Sequence, residues 1–112
     1  MDSSLVHMQM LRKYIAPEKI FIFSKSYCPY CDQAKELFTN IGVKFEAVEV
    51  DKSNGFPNNF IDFLNEHAKI KTYPKIYIGE ECIGGYSDAE KLFQNMKLFE
   101  KLKAEGISWT EA

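Results

Sequence analysis

Between Lys19 and Gly42 the chain passes from a nearly continuous apolar run, Lys19-Ile20-Phe21-Ile22-Phe23-Ser24, through a short loop into Cys28-Pro29-Tyr30-Cys31, and then into an apolar repeat of helical period. No other stretch restricts the fold as much. A short apolar run without alternation predicts a strand buried on both faces. Pro29 suits a first helical position, because the N–H it lacks has no partner there. Ala34, Leu37, Phe38 and Ile41 continue one apolar face, and Gly42 closes the helix just past its cap. Phe45 to Val50, with Phe45, Ala47 or Val48, and Val50 recurring, predicts a second strand. A strand, helix, strand unit of this kind is parallel and right-handed.

The flanks extend the pattern. Ser3 or Ser4 opens a predicted helix reaching about Ile15, ended by Pro17. A turn-rich loop, Asp51 to Pro57, leads to a helix capped by Asn58 or Asn59 and ending near His67. Lys75 to Ile78 and Glu81 to Ile83 read as a hairpin around Gly79-Glu80. Ser87 or Asp88 caps a last helix through Leu92, Phe93, Met96, Phe99 and Leu102, which Gly106 stops. The expected order is α-β-α-β-α-β-β-α: an α/β fold with a four-stranded mixed sheet flanked by helices. At 112 residues it is expected to be one domain, 1–112, with a short tail over 107–112.

Apolar residues at 46% suffice for a core without a metal or disulfide staple. A formal net charge of -2 with no basic block argues against nucleic acid as a partner. No segment is long and apolar enough to span a bilayer. Met1 to Lys13 lacks the apolar region of a secretory signal. The expectation is a cytoplasmic monomer with no membrane partner. The three cysteines, Cys28, Cys31 and Cys82, are an odd count that does not suggest a closed disulfide framework.

C-x-x-C opening a helix places Cys28 at the N-cap, beside backbone N–H groups without internal partners. Those donors and the helix dipole favour a thiolate. Pro29 has no N–H, so the useful donors begin at Tyr30 and Cys31. The dipole contributes only about 0.3–2 kcal/mol; direct N–H···S bonds and a nearby cation, for which Lys25 is the obvious candidate, must add to it. A low-pKa thiol gains little as a nucleophile, because its intrinsic reactivity falls as its thiolate fraction rises. It gains as a leaving group. Cys28 is therefore the candidate attacking thiolate, suited to repeated exchange, and Cys31 the resolving thiol.

Plainer readings compete with this one. C-x-x-C is also half of a zinc site, but Cys82, His7 and His67 give no second matching pair, and no metal is expected. The two histidines read as surface residues. Cys82 reads first as a small apolar side chain, and second as a regulatory thiol. Phe21, Phe23, Phe38, Phe60, Phe63, Phe93 and Phe99 read as core.

Four separated signals make the sequence resemble a dithiol glutaredoxin. They are Lys25-Ser26-Tyr27-Cys28-Pro29-Tyr30-Cys31; Thr72-Tyr73-Pro74; Ile83-Gly84-Gly85-Tyr86-Ser87-Asp88; and Lys71, where the family often has a basic residue. The resemblance implies a thioredoxin-like fold, a cis Tyr73-Pro74 bond and glutathione as co-substrate. It implies that the Tyr73 backbone meets the glutathione cysteine like a strand edge. Lys25 and Lys71 would meet the glycine carboxylate. The N–H groups at Ser87 and Asp88 would meet the γ-glutamyl carboxylate, and the Asp88 side chain its ammonium. Tyr30, Thr72, Pro74, Gly85 and Tyr86 complete the expected groove. Tyr73 departs from the usual valine, Tyr86 stands where some relatives have cysteine, and the loop over 54–57 and the Trp109 tail have no assigned role. For Lys25 and Lys71 the competing reading is a solvated surface charge.

The activity this implies is glutathione-dependent reduction of glutathionylated or disulfide-bonded proteins. Two alternatives stand beside it: a thioredoxin-type reductant fed by a flavoprotein reductase, and an iron–sulfur cluster carrier.

Overall fold

The computed structural model describes residues 3–52 and 55–110. Two strands, β1 (Ile20–Ser24) and β3 (Lys75–Ile78), form the middle of a four-stranded sheet and are buried along their whole length. β2 (Glu46–Glu49) and β4 (Glu81–Gly84) are its edges, in the order β2-β1-β3-β4. β1 runs parallel to β2 and antiparallel to β3, and β3 runs antiparallel to β4. This is the mixed sheet expected from the sequence.

Successive strand residues point to opposite faces, and the two faces differ in chemistry. Ile20, Ile22, Ile76 and Ile78 form one core with Ala34 and Phe38 of α2 (Pro29–Asn40), Ala89 of α4 (Tyr86–Gln94), and Leu98 and Leu102 of α5 (Lys97–Ala104). Phe21, Phe23 and Tyr77 form the other with Leu11 of α1 (Ser3–Leu11) and Phe60 and Leu64 of α3 (Asn58–Ala68). Burial on both sides explains why the central strands read as unbroken apolar runs.

Several boundaries differ from expectation. α1 ends at Leu11, not near Ile15; the N–H groups of Tyr14 and Ile15 both return to the Leu11 carbonyl, at 2.9 and 3.1 Å. The turn lets Tyr14 pack against Phe21, Phe23 and Phe56. α1 already includes Ser3 and Ser4, and the residue before it lies outside the described residues. α3 starts from Pro57, whose carbonyl accepts from Phe60 and Ile61, so neither Asn58 nor Asn59 is the cap. The single last helix is two. Met96 adopts a left-handed conformation (φ 64°) between α4 and α5, and the bend turns Leu98 and Leu102 onto the sheet.

Two segments without an assigned role gain one. Phe56 of the middle loop is buried against Tyr14, Phe23 and Phe60; Asn54 lies outside the described residues. In the tail, Trp109 packs on Phe99 at 5.1 Å, and the Thr110 N–H donates to the Gly42 carbonyl at 3.0 Å. Residues 111 and 112 lie outside the described residues. Among the described residues no helix is long and apolar enough to cross a membrane.

Candidate active site

Sheet topology brings three segments together. β1 ends where β3 begins, because the two are antiparallel and Phe23 pairs with Lys75. The residues after β1 therefore meet those before β3. β4 ends beside the start of β3, with Gly84 opposite Ile76. Cys28, Tyr73-Pro74 and the N-terminus of α4 thus converge at one end of the sheet.

Cys28 is the N-cap of α2, with extended backbone (φ -118°, ψ 98°) and Pro29 in the first turn. Cys28 and Cys31 are joined in a disulfide with their Cα atoms 5.2 Å apart. The Cys31 N–H donates to Cys28 Sγ at 3.2 Å; it is one of the two donors, with Tyr30, that the spacing predicts. Cys31 is fully buried and Cys28 partly exposed, so only one sulfur faces outside attack. On its other side Cys28 Sγ lies 3.8 Å from the Tyr73 carbonyl oxygen. The Tyr73-Pro74 bond is cis, as the resemblance implies.

The loop before Cys28 is tied to the end of β2. Asp51 accepts from the Ser26 N–H at 3.1 Å and from the Ser26 hydroxyl. These bonds hold its carboxyl below the usual carboxylate range. Tyr27 next to them is 98% exposed with φ 55°. Lys25, the cation expected beside the thiolate, is exposed, and its ammonium lies 4.8 Å from the centroid of the Tyr73 ring.

Tyr30, Thr72, Tyr73, Pro74, Gly85, Tyr86, Ser87 and Asp88 line one open cleft of about 450 Å³, together with Ile70. Lys25 and Lys71 are not among its lining residues. Lys71 lines a neighbouring depression with Asp62, Asn65, Glu66 and Lys69, and Ile70 is shared between the two. Tyr30, 62% exposed, stacks on Tyr86 at 6.2 Å and 24°. The Tyr86 hydroxyl donates to Glu90 at 2.8 Å, and that bond raises its pKa.

The α4 cap differs from expectation. The N-cap is Gly85, not Ser87 or Asp88, and Asp88 reaches back from the third helical position to accept from the Gly85 N–H at 2.9 Å. Helix geometry leaves the N–H groups of Tyr86, Ser87 and Asp88 without intrahelical acceptors, and all three residues line the cleft. Of the two glycines, Gly84 carries the conformational demand: its φ is +113°, and a Cβ there meets Asp88 Oδ2 at 2.2 Å. At Gly85 a Cβ meets only the Pro74 carbonyl, at an ordinary 3.5 Å.

Sequence reasoning missed the buried side chains behind the cleft. Lys75 is fully buried. Its ammonium donates to the Thr72 carbonyl at 2.9 Å and lies 3.9 Å from the Tyr73 ring centroid. Burial lowers its pKa to about 8; Cys82 works against that shift and Lys25 with it. A lysine immediately after Pro74, at the head of an otherwise apolar strand, was the available signal. Cys82 is half-buried opposite Tyr77, and burial pushes its thiol pKa up. The histidines are not simple surface residues. His7 packs on Phe60 and Phe63. His67 stacks between Phe63 and Tyr77, and its Nδ1 is 2.8 Å from the Tyr77 hydroxyl. Among the described residues no three His, Cys, Asp or Glu side chains converge as a metal site.

Comparison with known proteins agrees with this geometry. The Glutaredoxin family model matches residues 20–83. Human Glutaredoxin-1 is 36% identical over 95 residues, covering 82% of this chain and 89% of its own. Glutaredoxin-C2 of Arabidopsis thaliana is 37% identical over 100 residues, covering 88% of each. Among solved structures, a buckwheat glutaredoxin–glutathione complex superposes with a TM-score of 0.81 at 25% identity, covering 95% of this chain and 96% of that one. A wheat glutaredoxin does so with a TM-score of 0.78 at 33% identity, covering 96% and 100%.

Proposed function

The chain belongs to the glutaredoxin family, and from that premise and the geometry of Cys28 we propose how its residues divide the work. The activity is glutathione-dependent thiol–disulfide exchange on a thioredoxin-like fold, with glutathione as co-substrate. The observation that carries the assignment is the asymmetry of the pair. Cys28 is accessible at a helix N-cap and faces the backbone before Pro74, whereas Cys31 is buried one turn in.

In the proposed route the Cys28 thiolate attacks the glutathione sulfur of a protein mixed disulfide. The bond between glutathione and the protein breaks, the protein leaves as thiolate, and Cys28 carries the glutathionyl group. The thiolate of a second glutathione then attacks that sulfur. Glutathione disulfide forms and Cys28 leaves as thiolate, the step that a low thiol pKa favours. For a protein disulfide, Cys28 is first joined to the protein. Cys31 displaces the protein thiolate and closes the Cys28–Cys31 disulfide, which two glutathiones then reduce.

The buckwheat complex contains glutathione, and this favours the glutathione-fed route over a flavoprotein-fed reductant or a cluster carrier. We assign the glutathionyl group to the cleft of Tyr30, Thr72, Tyr73, Pro74, Gly85, Tyr86, Ser87 and Asp88. The Tyr73 backbone would face the cysteine, and the first-turn N–H groups of α4 the γ-glutamyl carboxylate. The second Asp88 oxygen remains for the γ-glutamyl ammonium. Lys25 and Lys71 would act from the rim on the glycine carboxylate. The proposed setting is a monomeric single domain in the cytoplasm, passing electrons from glutathione to glutathionylated or disulfide-bonded proteins. Both faces of one sheet and a free third thiol in Cys82 support that reading.

The test is the rate of glutathione-driven reduction of a small glutathione mixed disulfide. Cys31→Ser retains the activity and Cys28→Ser abolishes it. Turnover persisting in Cys28→Ser removes Cys28 as the nucleophile.

A further inference from the structure

Behind the cleft lies a buried charge that the route above does not use, the ammonium of Lys75. Lysine is rarely buried without partners, because its charge must be taken out of water. Its head has three N–H donors and no acceptor. Both partners found for it belong to one segment: the Thr72 carbonyl at 2.9 Å and the Tyr73 ring at 3.9 Å. Thr72, Tyr73 and Pro74 line the cleft, and the Tyr73 carbonyl is the backbone group facing Cys28 Sγ. A methionine would fill nearly the same space without any desolvation cost. The charge is therefore explained by the segment it holds and not by packing.

We propose that Lys75 is a positioning residue, whose buried ammonium, bonded to the Thr72 carbonyl and lying on the Tyr73 ring, fixes the 72–74 segment in the form that receives the glutathionyl group. It touches neither the sulfur nor the substrate. Its effect falls on binding, because the segment is a docking edge, and not on electron flow at Cys28. This inference rests on the assignment of glutathione to the cleft.

The test compares wild type with Lys75→Met and Lys75→Arg, using a glutathionylated peptide as substrate. In Lys75→Met the KM for that peptide rises about tenfold, equivalent to about 1.4 kcal/mol, while kcat stays within about twofold of wild type. Lys75→Arg keeps a charge, donors and a plane that stacks on aromatic rings, and its KM stays within about threefold of wild type. A folded Lys75→Met with unchanged KM, or one that loses kcat alone, overturns the proposal. A second readout needs no glutathione. The order parameter of the Tyr73 amide falls in Lys75→Met from the rigid value of about 0.85 toward the flexible range below about 0.6; no change there also overturns it. Should wild type fail to use the glutathionylated peptide, the glutathione assignment fails, and the order parameter still decides whether Lys75 holds the segment. Should Lys75→Met not fold, Tyr73→Leu deletes the ring and keeps the backbone. Its KM then rises at least about threefold, and an unchanged KM refutes the pairing.

Discussion

Lys25→Met separates two ways of keeping Cys28 anionic. One is the backbone. Cys28 Sγ sits at the N-cap of α2 and accepts from the Cys31 N–H at 3.2 Å. A helix N-terminus favours an anion by about 0.3–2 kcal/mol, and a hydrogen bond to a charged acceptor adds about 1.5–3 kcal/mol. The backbone share is thus about 2–5 kcal/mol. The other way is the lysine. Its ammonium is exposed and lies over the Tyr73 ring, 4.8 Å from the centroid, with no bond to the sulfur. An exposed charge pair is worth about 0.2–1 kcal/mol. At about 1.4 kcal/mol per pH unit, losing Lys25 raises the midpoint of thiolate formation by no more than about 0.7 pH. The assay is thiolate absorbance against pH in the reduced protein, in a Cys31→Ser background that retains the N–H. Cys82 titrates separately, because burial pushes its thiol up. The shift shrinks further with added salt. A rise of more than about 1.5 pH means that the lysine holds the thiolate and the backbone reasoning is wrong. A parent midpoint at or above the ordinary thiol value of about 8.5 defeats both accounts.

Gly84→Ala destabilises the protein by about 1–3 kcal/mol, because its φ of +113° suits only glycine, while Gly85→Ala folds with an unchanged urea midpoint; equal effects at the two sites contradict the assignment. Lys75 binds a proton less readily folded than unfolded, its pKa falling from 10.5 to about 8. Stability therefore rises with pH between about 8 and 10, and wild type gains on Lys75→Met in urea titrations taken at about pH 7 and about pH 9.5; a constant difference refutes this. Burial also lowers the pKa of His67 from 6.5. The unfolded chain then takes up the proton first, so stability is lost as pH falls through 6.5, and His67→Phe flattens that slope in acid-side melting curves.

The sequence was most legible where one physical demand acted alone. Ile20-Phe21-Ile22-Phe23 had to be a strand buried on both faces, and Cys28-Pro29 had to begin a helix, because local backbone chemistry decides both. The α4 cap was misplaced because Ser87 and Asp88 are both good caps in isolation. What moved the start to Gly85 is Asp88 acting from inside the helix, a choice between equivalent local signals. The break at Met96 was hidden for a related reason. Phe93, Met96 and Phe99 keep helical spacing across it, and only the need to bring Leu98 and Leu102 onto the sheet ends α4. Lys75 was passed over as the first residue of its strand, and His67 was misread because polarity predicts exposure. The Tyr77 ring reaches His67 only because β3 is brought against α3, and although Thr72 and Tyr73 are close to Lys75 in the chain, the burial that drives its ammonium onto them comes from the packing of the sheet.

Strand register links these observations. Side chains alternate with period two, so a slip of one residue between β1 and β3 turns every β3 side chain to the opposite face. In the observed register Phe23 faces Lys75 and Phe21 faces Tyr77 on the aromatic side, while Ile22 faces Ile76 on the aliphatic side. A slip would press Lys75 into the core formed by Ala34, Phe38 and Leu98, which offers it no acceptor. It would also put Ile76 among rings shaped around Tyr77. The cost of an unpartnered ammonium then acts as a register lock that apolar residues at both positions would not supply. The same register sets the start of β3 against the end of β1, and so the Tyr73 carbonyl against Cys28 Sγ. The lysine that holds the docking segment in place is thereby also a reason why that segment meets the sulfur at all.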